Sequence, residues 1–211
     1  MPSELTSVLS LQVSPQVSLL LACAAAYLLG SVSFAVVASR LFGLADPRSY
    51  GSHNPGATNV LRSGNKIAAL LALLGDASKG WLAVFLAQQY GWSGLSLGCI
   101  ACAVFAGHLC SVFLRFKGGK GVATAAGILL ALNLWLGLAT LATWLLAAVV
   151  FRYSSLAALL AALASPFYAL ALGLPSATLL TVGLLACALI AKHQKNIRQL
   201  RAGSESKIGK G

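Results

Sequence analysis

Long apolar runs separated by short polar clusters set the pattern of this chain. Apolar stretches cover about 17–39, 67–89 and 94–114, each near the roughly 20 residues that cross a bilayer as helix. The stretch 121–191 is too long for one span. It is interrupted at Asn133, at Arg152-Tyr153 and at Gly173-Leu174-Pro175-Ser176. Division at all three predicts four short helices of about 16–18 residues, and two long spans is the alternative. No internal repeat is visible. The pattern predicts an all-α, polytopic membrane protein with seven transmembrane helices, some of them short. It forms a single domain over 1–211, with polar segments at about 43–65, 107–124 and 192–207.

Composition supports this reading. The chain is 58% hydrophobic and 9% charged, whereas soluble domains carry about a quarter charged residues. Residues 1–16 hold Glu4 and no Lys or Arg, so they lack the basic start of a secretory signal, and the first apolar run is expected to be retained. The net charge of +11 is concentrated. Arg40, Arg48, Arg62 and Lys66 form one cluster, and Arg115, Lys117 and Lys120 a second. Lys192, Lys195, Arg198, Arg201, Lys207 and Lys210 form a third, while 88–94 is uncharged. The positive-inside rule makes all three clusters cytoplasmic and the N-terminus external. An even number of crossings must then separate the second cluster from the third, which favours four spans in 121–191. Basic segments this short, set between spans, exclude nucleic acid as a partner.

Cys23, Cys99, Cys102, Cys110 and Cys187 all lie in apolar runs and read as small buried residues. Asp76 and Lys79 fall in mid-span, where each charge costs about 2.5–3.5 kcal/mol on insertion scales. Their i, i+3 spacing predicts a structural pair. The tail from Gly203 onward is short and polar and is expected to be loosely ordered.

The three polar segments carry the chemistry. The first presents Gly51, Ser52, Asn54, Gly56, Thr58, Asn59 and Arg62. Its glycines free the backbone, its amides and hydroxyls donate, and its guanidinium offers a planar fork to phosphate. In the second, Gly107-His108 ends a span and Lys117-Gly118-Gly119-Lys120-Gly121 opens the next. A glycine turn leading into a helix N-terminus is an anion site, though G-x-x-x-x-G-K-[ST] is absent. The third holds His193 and Asn196, which share one face if the segment is helical.

Only Glu4, Asp46, Asp76 and Glu205 are acidic. They are far apart in sequence, so no carboxylate cluster is available for a metal and no cofactor is expected. No G-x-S-x-G elbow occurs, and no His is followed by Asp five positions on. The catalytic kit is cations, amides, hydroxyls and histidine. A transporter for phosphorylated or carboxylated anions is the rival reading. It predicts cationic groups at mid-membrane and often a repeat.

Read together, these segments resemble the acyl-phosphate-dependent glycerol-3-phosphate acyltransferases of bacteria, the PlsY family. The resemblance rests on Gly30-Ser31, on Asp46-Pro47-Arg48 with Gly51 to Arg62, and on Gly107-His108. It continues through Phe116 to Thr124 and His193-Gln194-Lys195-Asn196-Ile197, covering nearly the whole chain. One departure is His53, where relatives often carry Gly or another small residue. The resemblance implies acyl transfer from acyl phosphate to the sn-1 hydroxyl of glycerol 3-phosphate, giving lysophosphatidate and inorganic phosphate in phospholipid biosynthesis. It implies a multi-pass protein of the bacterial cell membrane, with its site at the cytoplasmic face and a functional link to an acyl-phosphate-forming enzyme. By motif position, Ser52, Arg62, Lys120, His193 and Asn196 correspond to residues that relatives use for catalysis or phosphate binding. Gly51, Asn54, Gly56, Thr58, Asn59, His108, Lys117, Gly118, Gly119 and Gly121 are expected to shape the phosphate sites around them.

Overall fold

A computed structural model describes residues 14–209, and among these residues regular structure is entirely helical. The elements are α1 (Pro15–Ser31), α2 (Phe34–Leu41), α3 (Ala57–Leu61), α4 (Lys66–Gln89) and α5 (Gly94–Leu109). After a 3₁₀ turn at Val112–Leu114 follow α6 (Val122–Leu132), α7 (Leu134–Phe151), α8 (Ser154–Ala171), α9 (Ser176–Lys192) and α10 (Gln194–Arg201). The breaks expected near 133, 153 and 174 are all present. Asn133 marks the first because its side-chain oxygen accepts from Leu136 N–H at 3.0 Å and so caps α7.

The first apolar run is not one continuous helix, as its composition suggests. It breaks at Val32–Ser33 and bends by 41° between α1 and α2. The freed backbone groups are met by the mid-span pair. Lys79 donates to the Val32 carbonyl at 2.6 Å, and Asp76 accepts from Phe34 N–H at 3.3 Å. Lys79 and Asp76 also pair with each other at 2.7 Å, both almost fully buried. Backbone irregularity at membrane depth is tolerated where protein groups satisfy it in this way.

Close helix approach follows from small residues. Gly30 lies against the Val104 carbonyl and Gly107 against that of Tyr27, which locks α1 onto α5. Gly80 against Thr124 and Gly127 against Ala77 do the same for α4 and α6. A Cβ at any of the four would collide with backbone, so lipid-free packing here depends on glycine.

Among the described residues four helices are long and apolar enough to cross a membrane, or up to six if each bent pair counts as one span. The seventh apolar segment, α6, has 11 residues and rises roughly 16 Å, shorter than expected and about half of a bilayer core. Orientation is testable in a background cleared of the five native cysteines. Cys at Ser63 and at Ser204 is expected to be labelled from the same side of sealed vesicles, and Cys at Ser93 from the other. Labelling of positions 63 and 204 from opposite faces would refute the even crossing number.

Candidate active site

The first loop folds around Asn59, which is 2% exposed. Its amide donates to the carbonyls of Pro47 at 2.5 Å and Tyr50 at 3.1 Å, and its oxygen accepts from Ser52 N–H at 3.0 Å. Asn59 thus holds the loop from within and has no group left over. Pinned by it, Ser52 stays half-buried, and Gly51 turns at φ 58 over the Arg62 side chain. His53 adopts φ 57, a conformation that favours glycine, and its Nδ1 lies 3.0 Å from the Arg48 carbonyl. Asn54 packs on Gly56, the N-cap of α3. Thr58 reaches the start of α8, its hydroxyl 3.2 Å from that of Ser154.

The glycine turn stands beside this loop. An open cavity of about 510 Å³ is lined by Asp46, Arg48, Ser49, His53, Lys117 and Gly118. Arg48 is engaged by Asp46 at 2.6 Å, and its hydrogen bond holds the Asp46 carboxyl below the usual carboxylate range. Gly119 N–H donates to the His108 carbonyl at 3.0 Å. Gly121, at φ 82, is the N-cap of α6, so Lys120 stands one residue before that cap. Lys120 is half-buried. Burial pushes its ammonium down from the ordinary lysine value, the Glu205 charge opposes this, and Arg62 and Lys195 add to it.

The α9–α10 bend, 59°, delivers the third segment. His193 sits at the corner and is 2% exposed. Its Nδ1 is 2.8 Å from the Leu189 carbonyl, which requires the proton on Nδ1 and leaves Nε2 an acceptor. Burial lowers its pKa, with Lys120 acting in the same direction and the Leu189 bond and Glu205 opposing. Asn196 is 6% exposed and donates to Glu205 at 2.8 Å. That bond assigns its amide orientation, and its buried Oδ1 has no partner.

Four residues that the motifs did not mark join the site. Ser154 and Ser155 come from the α8 start, Glu205 and Ser206 from the tail. Ser155 donates to Glu205 at 2.5 Å, and Ser206 accepts from Arg62. The described part of the tail, 203–209, is therefore not loosely ordered: Ile208 N–H donates to the Arg152 carbonyl at 2.6 Å, and Lys207 lies 5.6 Å from the Tyr153 ring centre. Hydrogen bonds through Glu205, Ser206 and Ile208, with the Lys207 contact to the Tyr153 ring, hold it despite its low apolar content. The one sequence signal was an acid, Glu205, in an otherwise basic tail.

Arg62, Lys120, His193 and Asn196 thus converge from three distant segments, with Ser52 close by on the first loop. His108 does not join them on the open face. It is 6% exposed and lies in the interior, its Nδ1 3.1 Å from the Thr124 hydroxyl and 3.6 Å from the Asp76 carboxylate.

A helical membrane bundle with a cationic, amide-rich site at one end defines an integral-membrane enzyme that handles anions. The chain belongs to the glycerol-3-phosphate acyltransferase family: the family's sequence profile matches residues 20–203. The glycerol-3-phosphate acyltransferase of Dechloromonas aromatica (strain RCB) is 61% identical over 189 residues, covering 90% of this chain and 96% of the relative. That of Ralstonia pickettii (strain 12J) is 60% identical over 200 residues, covering 93% and 97%. The crystal structure of PlsY (YgiH), an integral membrane glycerol 3-phosphate acyltransferase, superposes in its glycerol 3-phosphate form with a TM-score of 0.86. It is 35% identical, with 91% of this chain and 96% of that one covered. The lysphosphatidic acid form gives 0.85 at 34% identity. This protein is accordingly an integral-membrane acyltransferase of phospholipid biosynthesis.

Proposed function

We propose that the protein transfers a fatty acyl group from acyl phosphate to the sn-1 hydroxyl of glycerol 3-phosphate, releasing lysophosphatidate and inorganic phosphate. The observation that carries this reading is the convergence of Arg62 and Lys120 with His193, whose Nε2 is an unprotonated acceptor. Both substrates carry phosphate, so two anion sites must coexist, and the cationic loops meet at one end of the bundle. The acyl chain stays among the helices while its phosphate head reaches the loops, and the basic charge of those loops supports a site facing the cytoplasm of the bacterial cell.

An acyl phosphate is already activated, so positioning and charge stabilisation supply most of the catalysis. The glycerol hydroxyl attacks the acyl carbon and loses its proton to His193 Nε2. The bond from acyl carbon to phosphate oxygen breaks, and Lys120 and Arg62 stabilise the leaving phosphate. Among the described residues no Ser or Cys is hydrogen-bonded to a histidine, and direct attack on the activated acyl group needs no acyl-enzyme. Among the described residues the acid–base machinery also has no carboxylate to spare: Asp46 is tied to Arg48, Asp76 to Lys79, and Glu205 to Ser155 and Asn196.

The test is release of phosphate by purified protein given acyl phosphate and glycerol 3-phosphate. Turnover is expected to persist in excess chelator and to be lost when acyl phosphate is replaced by acyl-CoA. An absolute requirement for Mg²⁺, or efficient turnover with acyl-CoA alone, would refute the donor assignment. An acyl-phosphate-forming enzyme must then supply the donor. The transporter alternative lacks support from the mid-membrane cation, because Lys79 is closed onto Asp76 and Val32.

A further inference from the structure

The buried polar cluster beneath the glycine turn is larger than the pairing of two stray charges requires. It joins Asp76 and Lys79 of α4, His108 of α5 and Thr124 of α6, all buried. Thr124 spends its only hydroxyl proton on the Asp76 carbonyl, 2.9 Å away. It can therefore meet His108 Nδ1, at 3.1 Å, only as acceptor. Nδ1 carries the imidazole proton, shared between Thr124 and the Asp76 carboxylate, and the ring is held in one orientation.

The opposite edge of that ring faces the turn. A Cβ added at Gly119 would overlap His108 Nε2 and its neighbouring ring carbons. A Cβ added at Gly118 would overlap a different target, the backbone carbonyls of His108 and Leu109. His108 also accepts Gly119 N–H through its own carbonyl at 3.0 Å. One residue thus grips the segment on both sides of Lys120: Gly119 through backbone and ring edge, and the first turn of α6 through Thr124.

We propose that His108 is a positioning residue for the phosphate cradle, the seat on which Gly118-Gly119-Lys120 rests, and not a phosphate ligand. The Asp76–Lys79 pair keeps that seat in register while also closing the break in the first span. The inference rests on the reading of Lys120 as a phosphate-binding residue.

The geometry makes the test selective. Gly119→Ala is expected to weaken glycerol 3-phosphate binding to the purified protein, measured by titration calorimetry, by about tenfold, a difference of about 1.4 kcal/mol. His108→Asn keeps a donor for Thr124 but removes the ring edge, so it makes room for the new methyl group. In that background Gly119→Ala is expected to cost less than about threefold, a departure from additivity that marks direct contact. Gly118→Ala, facing backbone, is expected to cost the same in both backgrounds. His108→Ala serves as a second truncation, and thermal melting confirms that each variant is folded.

Equal cost of Gly119→Ala in both backgrounds would overturn the proposal, as would a harmless Gly119→Ala or equal rescue of Gly118→Ala. Unchanged binding in Lys120→Ala would instead sink the phosphate-site reading, and the same titrations separate the two failures.

Discussion

Replacement of His193 by Ala is expected to lower kcat by about 10²–10⁴, the range for loss of a general base, with folding intact. Nδ1 is committed to the Leu189 carbonyl, so Nε2 is the ring atom left as an acceptor. Burial depresses the imidazole pKa, and the sign follows directly. A lowered pKa keeps the ring neutral, and hence basic, at pH 7. The residue is protonated and silenced only as pH falls below the depressed value. The acid limb of the kcat profile is thus expected below the ordinary histidine pKa of about 6.5, and to vanish in His193→Ala. If a phosphate oxygen of the substrate takes the proton instead, the variant keeps its pH profile and binds glycerol 3-phosphate more weakly. Steady-state rates across pH distinguish the two outcomes.

Lys120→Ala is expected to lower kcat/KM by roughly ten- to a hundredfold, the loss of one charge-assisted contact worth about 1.5–3 kcal/mol. Arg62→Ala is expected to match it. Arg62→Lys should recover little, since a point charge does not replace a planar fork against phosphate. Burial also lowers the Lys120 pKa, so the free enzyme loses this charge at a pH below the usual lysine range. The basic limb of kcat/KM is expected to move accordingly and to change in Lys120→Ala. His53→Gly, at φ 57, releases an unfavourable backbone conformation and is expected to be nearly neutral. Near-normal kinetics in both Lys120→Ala and His193→Ala would show that the segments do not form one site.

What the sequence revealed and what it concealed have physical reasons. Asn133, Arg152 and Pro175 announced the helix ends because each is locally costly inside an apolar helix. The motif loops announced themselves through density of glycine and donors. The break at Val32–Ser33 left no such trace, since both residues sit comfortably in an apolar span. Its cause lies in Asp76 and Lys79, more than forty positions away. The same holds for His108, which looks like a ligand beside Lys117 and Lys120 until its ring is seen turned toward Thr124. Glu205 and Ser155 reach the site singly, from a tail and a helix start, and a single residue forms no pattern. Motifs are read in sequence, whereas convergence is read only in three dimensions.

The broken first span also bears on the order of assembly. Chains enter the bilayer from the N-terminus, so α1 and α2 arrive before α4. When Asp76 and Lys79 follow, each carrying an insertion penalty of about 2.5–3.5 kcal/mol, their first partners already wait in the membrane. In the folded protein those partners are the Val32 carbonyl and the Phe34 N–H. Two defects, each a liability alone, cancel on meeting. The charged pair therefore joins α4 to the broken first span, and its insertion cost is offset by backbone groups that lie earlier in the chain.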